Sequence, residues 1–158
     1  MTTLVIGVGN RDRGDDGAGP AVADRVRARG LRALVLEGDL SDLALRWRPD
    51  DRVIVVDAVR TGADPGTVHR VSPEVWGTLP SAAPWSSHGV GVRDALGLAS
   101  LFDLLPASLE VIGIEMAGDR LGTGLSEPVR EAVDRVAQAI STSTLDTIAS
   151  TAVPTASS

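Results

Sequence analysis

The fold is decided by the stretch Leu4-Val5-Ile6-Gly7-Val8-Gly9-Asn10-Arg11-Asp12-Arg13-Gly14-Asp15-Asp16-Gly17-Ala18-Gly19. It begins as a short apolar run rich in β-branched residues, the composition of a strand buried on both faces. A glycine-rich polar turn follows. From Ala18 to Arg29 the residues Ala18, Ala21, Val22 and Val26 share one helical stripe, while Asp24, Arg25 and Arg27 turn outward. Gly30 ends that helix, and Leu31 to Leu36 forms a second apolar run. The unit is strand, helix, strand.

The same grammar continues outward. Arg52 to Val56 and Leu109 to Glu115 are further apolar runs, and Thr67 to Val71 alternates as an edge strand does. Leu40 to Trp47 reads as a short helix closed by the Arg48-Pro49-Asp50-Asp51 turn, and Val90 to Leu104 reads as a longer one. Ser126 to Ile140 is the clearest helix, with Ser126 as N-cap, Pro128 in the first turn, and a stripe of Val129, Ala132, Val133, Val136 and Ile140. After Ser141 the chain is Ser, Thr and Ala with few large apolar side chains, so residues 142–158 are expected to be a disordered tail that can be removed without harm to the core. The pattern predicts one domain over residues 1–141, a three-layer α/β/α sandwich around a mainly parallel, roughly five-stranded twisted sheet. Its functional loops belong at the C-terminal ends of the strands.

Composition narrows the chemistry. With 158 residues, of which 43% are hydrophobic, the chain can close one core. A formal net charge of −6 disfavours phosphate backbones and anionic lipid, so neither nucleic acid nor membrane is an expected partner. No stretch approaches the roughly 20 apolar residues of a membrane span, and the N-terminus enters its first strand without a leader-like flank. A cytoplasmic monomer is the expectation. The absence of cysteine excludes disulfides, thiolate nucleophiles and zinc–thiolate clusters, leaving His, carboxylates and backbone oxygens as metal ligands. All fifteen basic residues are Arg, which a GC-rich coding genome would give without a functional reason.

Three places can carry chemistry. In the first loop, Asp15 or Asp16 could simply cap the following helix. A dinucleotide fingerprint would need glycine where Asp12 stands, and Asp12, Asp15 and Asp16 would repel phosphates, although Glu37 could imitate the ribose-binding acid. Asp57 ends the third apolar run, where it is either a cap for loop amides or a ligand or general base. His88, in Ser86-Ser87-His88-Gly89-Val90-Gly91, opens a helix and could return to the same sheet edge. Two carboxylates and an imidazole would suit a borderline metal ion with open positions. His69, the other histidine, lies within the edge strand and is expected to be structural.

These features, in this order, resemble the hydrogenase maturation endopeptidases from Leu4 to about Ile140. The resemblance rests on Gly7-Val8-Gly9-Asn10 with Gly14-Asp15-Asp16-Gly17-Ala18-Gly19, on Asp57-Ala58, on Ser87-His88-Gly89, and on Ile112-Gly113-Ile114-Glu115 followed by Gly124-Leu125-Ser126. It implies an endopeptidase that trims the C-terminal extension of a nickel-loaded [NiFe]-hydrogenase large subunit, its precursor being the partner. It also implies that Asp16, Asp57 and His88 are the catalytic and metal-binding residues, recognising the precursor's nickel with no permanent cofactor. Catalysis would be metal-assisted or, with Asp16 and Asp57 as a dyad, of the aspartyl protease type. A noncatalytic nickel-sensing assembly module is the rival from another class. Two departures stand out: Glu37-Gly38-Asp39-Leu40 where many relatives carry Asp-Gly-Gly-Thr, and Met116 where many carry Pro. The first alters the charge that a peptide meets at the loop bordering the cleft.

Overall fold

A computed structural model describes residues 2–71, 91–118 and 120–148. Five strands, β1 (Thr3–Val8), β2 (Arg32–Leu36), β3 (Arg52–Val59), β4 (Val68–Val71) and β5 (Ser108–Glu115), form one sheet in the order β2-β1-β3-β5-β4. The first four in that order are parallel, and β4 runs antiparallel to β5 at the edge. Helices α1 (Ala18–Ala28), α2 (Val92–Leu101) and α3 (Glu127–Ser141) complete the expected α/β arrangement.

Strand periodicity divides the core. Val5, Ile54, Val56, Ile112 and Ile114 pack with α1 and α3, whereas Leu4, Ile6, Val8, Val53, Val55 and Val111 pack with α2 and with Leu40, Leu43 and Trp47. Three layers result. The helix α1 is held unusually close to the sheet through glycine: a Cβ on Gly19 would lie 2.4 Å from the Val56 carbonyl oxygen and 2.5 Å from that of Val8. The order of strands reverses direction between β1 and β3, because β2 lies on one side of β1 and all later strands on the other. The loops after β1 and β3 therefore part at a topological switch point, the place where open α/β sheets bind ligands.

Three local readings need correction. Residues Leu40 to Trp47 bury the apolar positions expected of a helix, but only Leu43–Leu45 is helical and in the tighter 3-10 form. The Asp39 side chain accepts from the Ser41 amide at 2.8 Å, a local turn that competes with helix initiation. The second long helix stops at Leu101 rather than Leu104, because Asp103 adopts φ 58° and the Leu104 amide turns back to the Ala99 carbonyl at 2.7 Å. Val90, its expected start, lies outside the described residues.

The third correction concerns the tail. Residues 142–148 pack on the domain: Leu145 is 2% exposed within the α1/α3 core, and the Arg70 guanidinium donates to the Leu145 and Ile148 carbonyls at 2.7 and 3.3 Å. One buried leucine and one arginine clamp outweigh a composition that is otherwise poor in apolar groups. Cutting after Ser141 is therefore expected to damage the core instead of sparing it, while residues 149–158 of the expected tail lie outside the described residues. Leu145→Ala is expected to cost about 2–4 kcal/mol in urea denaturation, and a change under about 0.5 kcal/mol would return these residues to the status of a dispensable tail.

Candidate active site

The β1–α1 loop folds as a 3-10 turn, Gly14–Gly17, that carries both adjacent carboxylates. They point to different tasks. Asp15 is 2% exposed, and its carboxylate accepts from the backbone amides of Ala117, Gly118 and Ser126 and from the Ser126 hydroxyl, at 2.7 to 3.3 Å. Every bond it makes runs to the segment between β5 and α3. Asp16 is half-buried, and its Oδ2 accepts from the Asn10 amide at 2.9 Å. Gly9 makes room for this arrangement, since a Cβ there would lie 2.0 Å from the Asp16 carbonyl oxygen and its φ of 139° suits glycine.

Asp57 lies deeper than a strand-ending cap. Strand β3 runs on to Val59 because β5 pairs with it as far as Glu115, so Asp57 sits inside the ladder opposite Gly113. It is 2% exposed, and its Oδ2 is buried with no hydrogen-bond partner among the described residues. Burial pushes its pKa well above the ordinary carboxylate value, the Asp16 charge pushes it further, and the Ala58 amide only partly offsets them. A buried acceptor without a donor, next to a second carboxylate, is an expensive arrangement for a fold to maintain. It becomes favourable once a proton or a cation sits between the two groups.

Asp16, in the loop after β1, and Asp57, near the end of β3, thus flank the β1/β3 switch point, close enough for the Asp16 charge to act on Asp57. His88 lies outside the described residues, and among those described no group of three His, Asp or Glu side chains is placed to hold a metal. His69 is inside β4, 4% exposed, with Nε2 3.2 Å from Glu115 Oε1. Glu115 also accepts from the Thr61 amide at 2.9 Å, tying the β3–β4 connection to the end of β5. Sequence reasoning did not single out Glu115, and its place at the end of an apolar run gave the same signal as Asp57. Glu37 and Asp39, on the loop after β2, are exposed. Arg11 in the first loop is paired with Asp24, which with a smaller contribution from Glu37 raises the guanidinium pKa.

Comparison with known proteins agrees with this fold. A family model described as hydrogenase maturation protease matches residues 40–143. The chain is 29% identical over 136 residues to the hydrogenase expression/formation protein HupD of Thiocapsa roseopersicina, covering 82% of this chain but only 62% of HupD. It is 28% identical over 146 residues to the hydrogenase 3 maturation protease of Escherichia coli K12, covering 87% of this chain and 88% of that protein. The solution structure of the endopeptidase HycI from Escherichia coli superposes with a TM-score of 0.72 at 25% identity, over 98% of this chain and 99% of that one. With the fold and the matched segment in agreement, the chain belongs to the hydrogenase maturation protease family.

Proposed function

We propose that the protein is the endopeptidase that removes the C-terminal extension from a nickel-loaded [NiFe]-hydrogenase large-subunit precursor. One observation carries the reading: among the described residues the buried Asp57 Oδ2 has no donor, and the Asp16 charge acts on the same carboxylate. In this reading the precursor's own nickel occupies the gap, with Asp16 and Asp57 as two ligands and His88 as the third by resemblance. A loaded precursor gains binding energy that an empty one lacks, and its scissile peptide is held beside the site. The metal can polarise the peptide carbonyl or a water, and a carboxylate can act as general base.

The raised pKa of Asp57 also favours a second mechanism with the same outcome. Two carboxylates sharing one proton can activate water between them, as in an aspartyl protease dyad. The two mechanisms differ in what nickel does to the precursor. Incubation with loaded and nickel-free precursor, followed by mass spectrometry, separates them: shortening of the loaded form alone supports nickel recognition. Shortening of both supports the dyad, and shortening of neither supports a noncatalytic assembly module.

Metal binding by the free protein should be weak and pH-dependent. Nickel needs Asp57 ionised and a neutral imidazole, so affinity is expected to fall as pH drops through the raised Asp57 pKa and the range around 6.5 where a typical imidazole protonates. Calorimetric titration with Ni²⁺ between pH 8 and pH 5 measures this. Stoichiometric metal that survives dialysis against chelator would mark a resident cofactor and contradict the substrate-nickel reading.

A further inference from the structure

The carboxylate of Asp15 clamps both ends of one loop. The Ala117 and Gly118 amides donate to its Oδ2 at 2.8 and 3.3 Å where the chain leaves β5, and the Ser126 amide donates to its Oδ1 at 2.7 Å where the chain enters α3. The Ser126 hydroxyl adds a fourth bond at 2.8 Å. Two backbone bonds reinforce the junction: the Asp15 amide to the Gly118 carbonyl at 3.0 Å, and the Gly122 amide to the Asp12 carbonyl at 2.7 Å. Gly14 lets the two loops touch, since a Cβ there would lie 2.8 Å from the Thr123 hydroxyl and 3.1 Å from the Gly118 carbonyl oxygen.

The loop so held is not inert surface. Ala117, Gly118, Arg120, Thr123, Gly124, Leu125 and Ser126 line, with Asp15, a cavity of about 440 Å³. Leu121 projects from the loop 71% exposed. The adjacent residue in the 3-10 turn is Asp16, whose amide donates to the Arg13 carbonyl at 3.0 Å. The turn is therefore fixed on one side by its own backbone and on the other by the Asp15 clamp.

We propose that Asp15 is a positioning residue: it ties residues 117–118 and 120–126 to the turn that carries Asp16, and so fixes where the Asp16 carboxylate stands relative to Asp57. This rests on the function proposed above for Asp16 and Asp57. Asp15 is not itself a reacting acid, because four donors hold its oxygens toward the loop. An amide in its place keeps the shape but cannot accept at both oxygens, so one donor must face another donor.

Asp15→Asn, with its fold checked by circular dichroism at the assay temperature, is expected to lower kcat for precursor shortening by about 10- to 100-fold with KM changed less than about threefold. Its Ni²⁺ affinity should fall by about tenfold or more. A purely stabilising Asp15 would lower the melting temperature while leaving the folded variant with wild-type kcat and wild-type Ni²⁺ affinity, and that result overturns the proposal. If Asp15→Asn does not fold, Ser126→Ala removes one of the four donors and should lower both quantities by about two- to fivefold, and wild-type values for both would overturn the proposal equally. A wild-type protein that binds Ni²⁺ but shortens no precursor would defeat the protease reading alone, since the Ni²⁺ titrations still decide the role of Asp15.

Discussion

Replacing Asp57 by asparagine is expected to stop precursor shortening, with kcat/KM down by about 10³-fold, and yet to leave a protein more resistant to urea at pH 8 than the wild type. The two effects share one cause. Burial, and after it the Asp16 charge, raises the Asp57 pKa in the folded state. The native state therefore binds a proton that the unfolded state releases, so the contribution of this group is fully present below the unfolded pKa and is lost as pH rises through the raised one. Asparagine does not titrate and escapes that loss. The stability gain should shrink as pH is lowered toward about 4, the range of an ordinary carboxyl. Urea midpoints for both proteins at pH 8 and pH 4 test this, and a variant less stable than the wild type at pH 8 would mean that the ionised carboxylate has a stabilising partner.

The same loss of processing is expected for Asp16→Asn and for His88→Ala. His69→Gln is the control. Its ring meets Glu115 rather than the paired carboxylates, so processing should continue even though stability falls. An essential His69 with a dispensable His88 would move the site to the Glu115 side of the sheet.

Gly19→Ala should be a strongly damaging addition of one methyl group. The added Cβ would meet the Val56 and Val8 carbonyl oxygens at 2.4 and 2.5 Å, and these are backbone atoms of the two central strands that cannot rotate aside. Helix α1 would have to lift away, for a loss of about 3 kcal/mol or more. Because α1 follows directly from the Asp16 turn and Val56 precedes Asp57, processing should fall with stability. Gly97→Ala is the matched comparison: it lies exposed on α2 with nothing within 4 Å of the new atom, and the gain in helix propensity should stabilise the protein by up to about 1 kcal/mol. Equal melting temperatures for Gly19→Ala and the wild type would show that α1 can ride further from the sheet than its contacts imply.

The strands and two of the helices were legible because burial on both sheet faces leaves a residue little choice. Val53 to Val56 and Val111 to Ile114 are apolar in both registers, and α3 repeats its apolar stripe over its whole length. The family was legible from the order of short motifs around Asp16, Asp57 and His88. What the sequence did not separate was the pair Asp15 and Asp16. Both are acids in one glycine-rich turn, and only the return of the β5–α3 segment, a hundred residues later in the chain, assigns one to a clamp and leaves the other as the charge that acts on Asp57.

The chain by itself therefore determined the layers and the parallel order of elements, since these follow from local periodicity and glycine placement. Tertiary structure alone decided how deep Asp57 lies, that its Oδ2 has no donor among the described residues, that residues 142–148 pack on the domain, and that Asp15 clamps the segment before α3. The depth of Asp57, the packing of residues 142–148 and the clamp each depend on a partner far away in sequence: β5 extending the ladder past Asp57, Arg70 reaching Leu145, and Asp15 reaching Ser126. Contacts of that kind leave no periodic trace, because a single residue placed once can satisfy them.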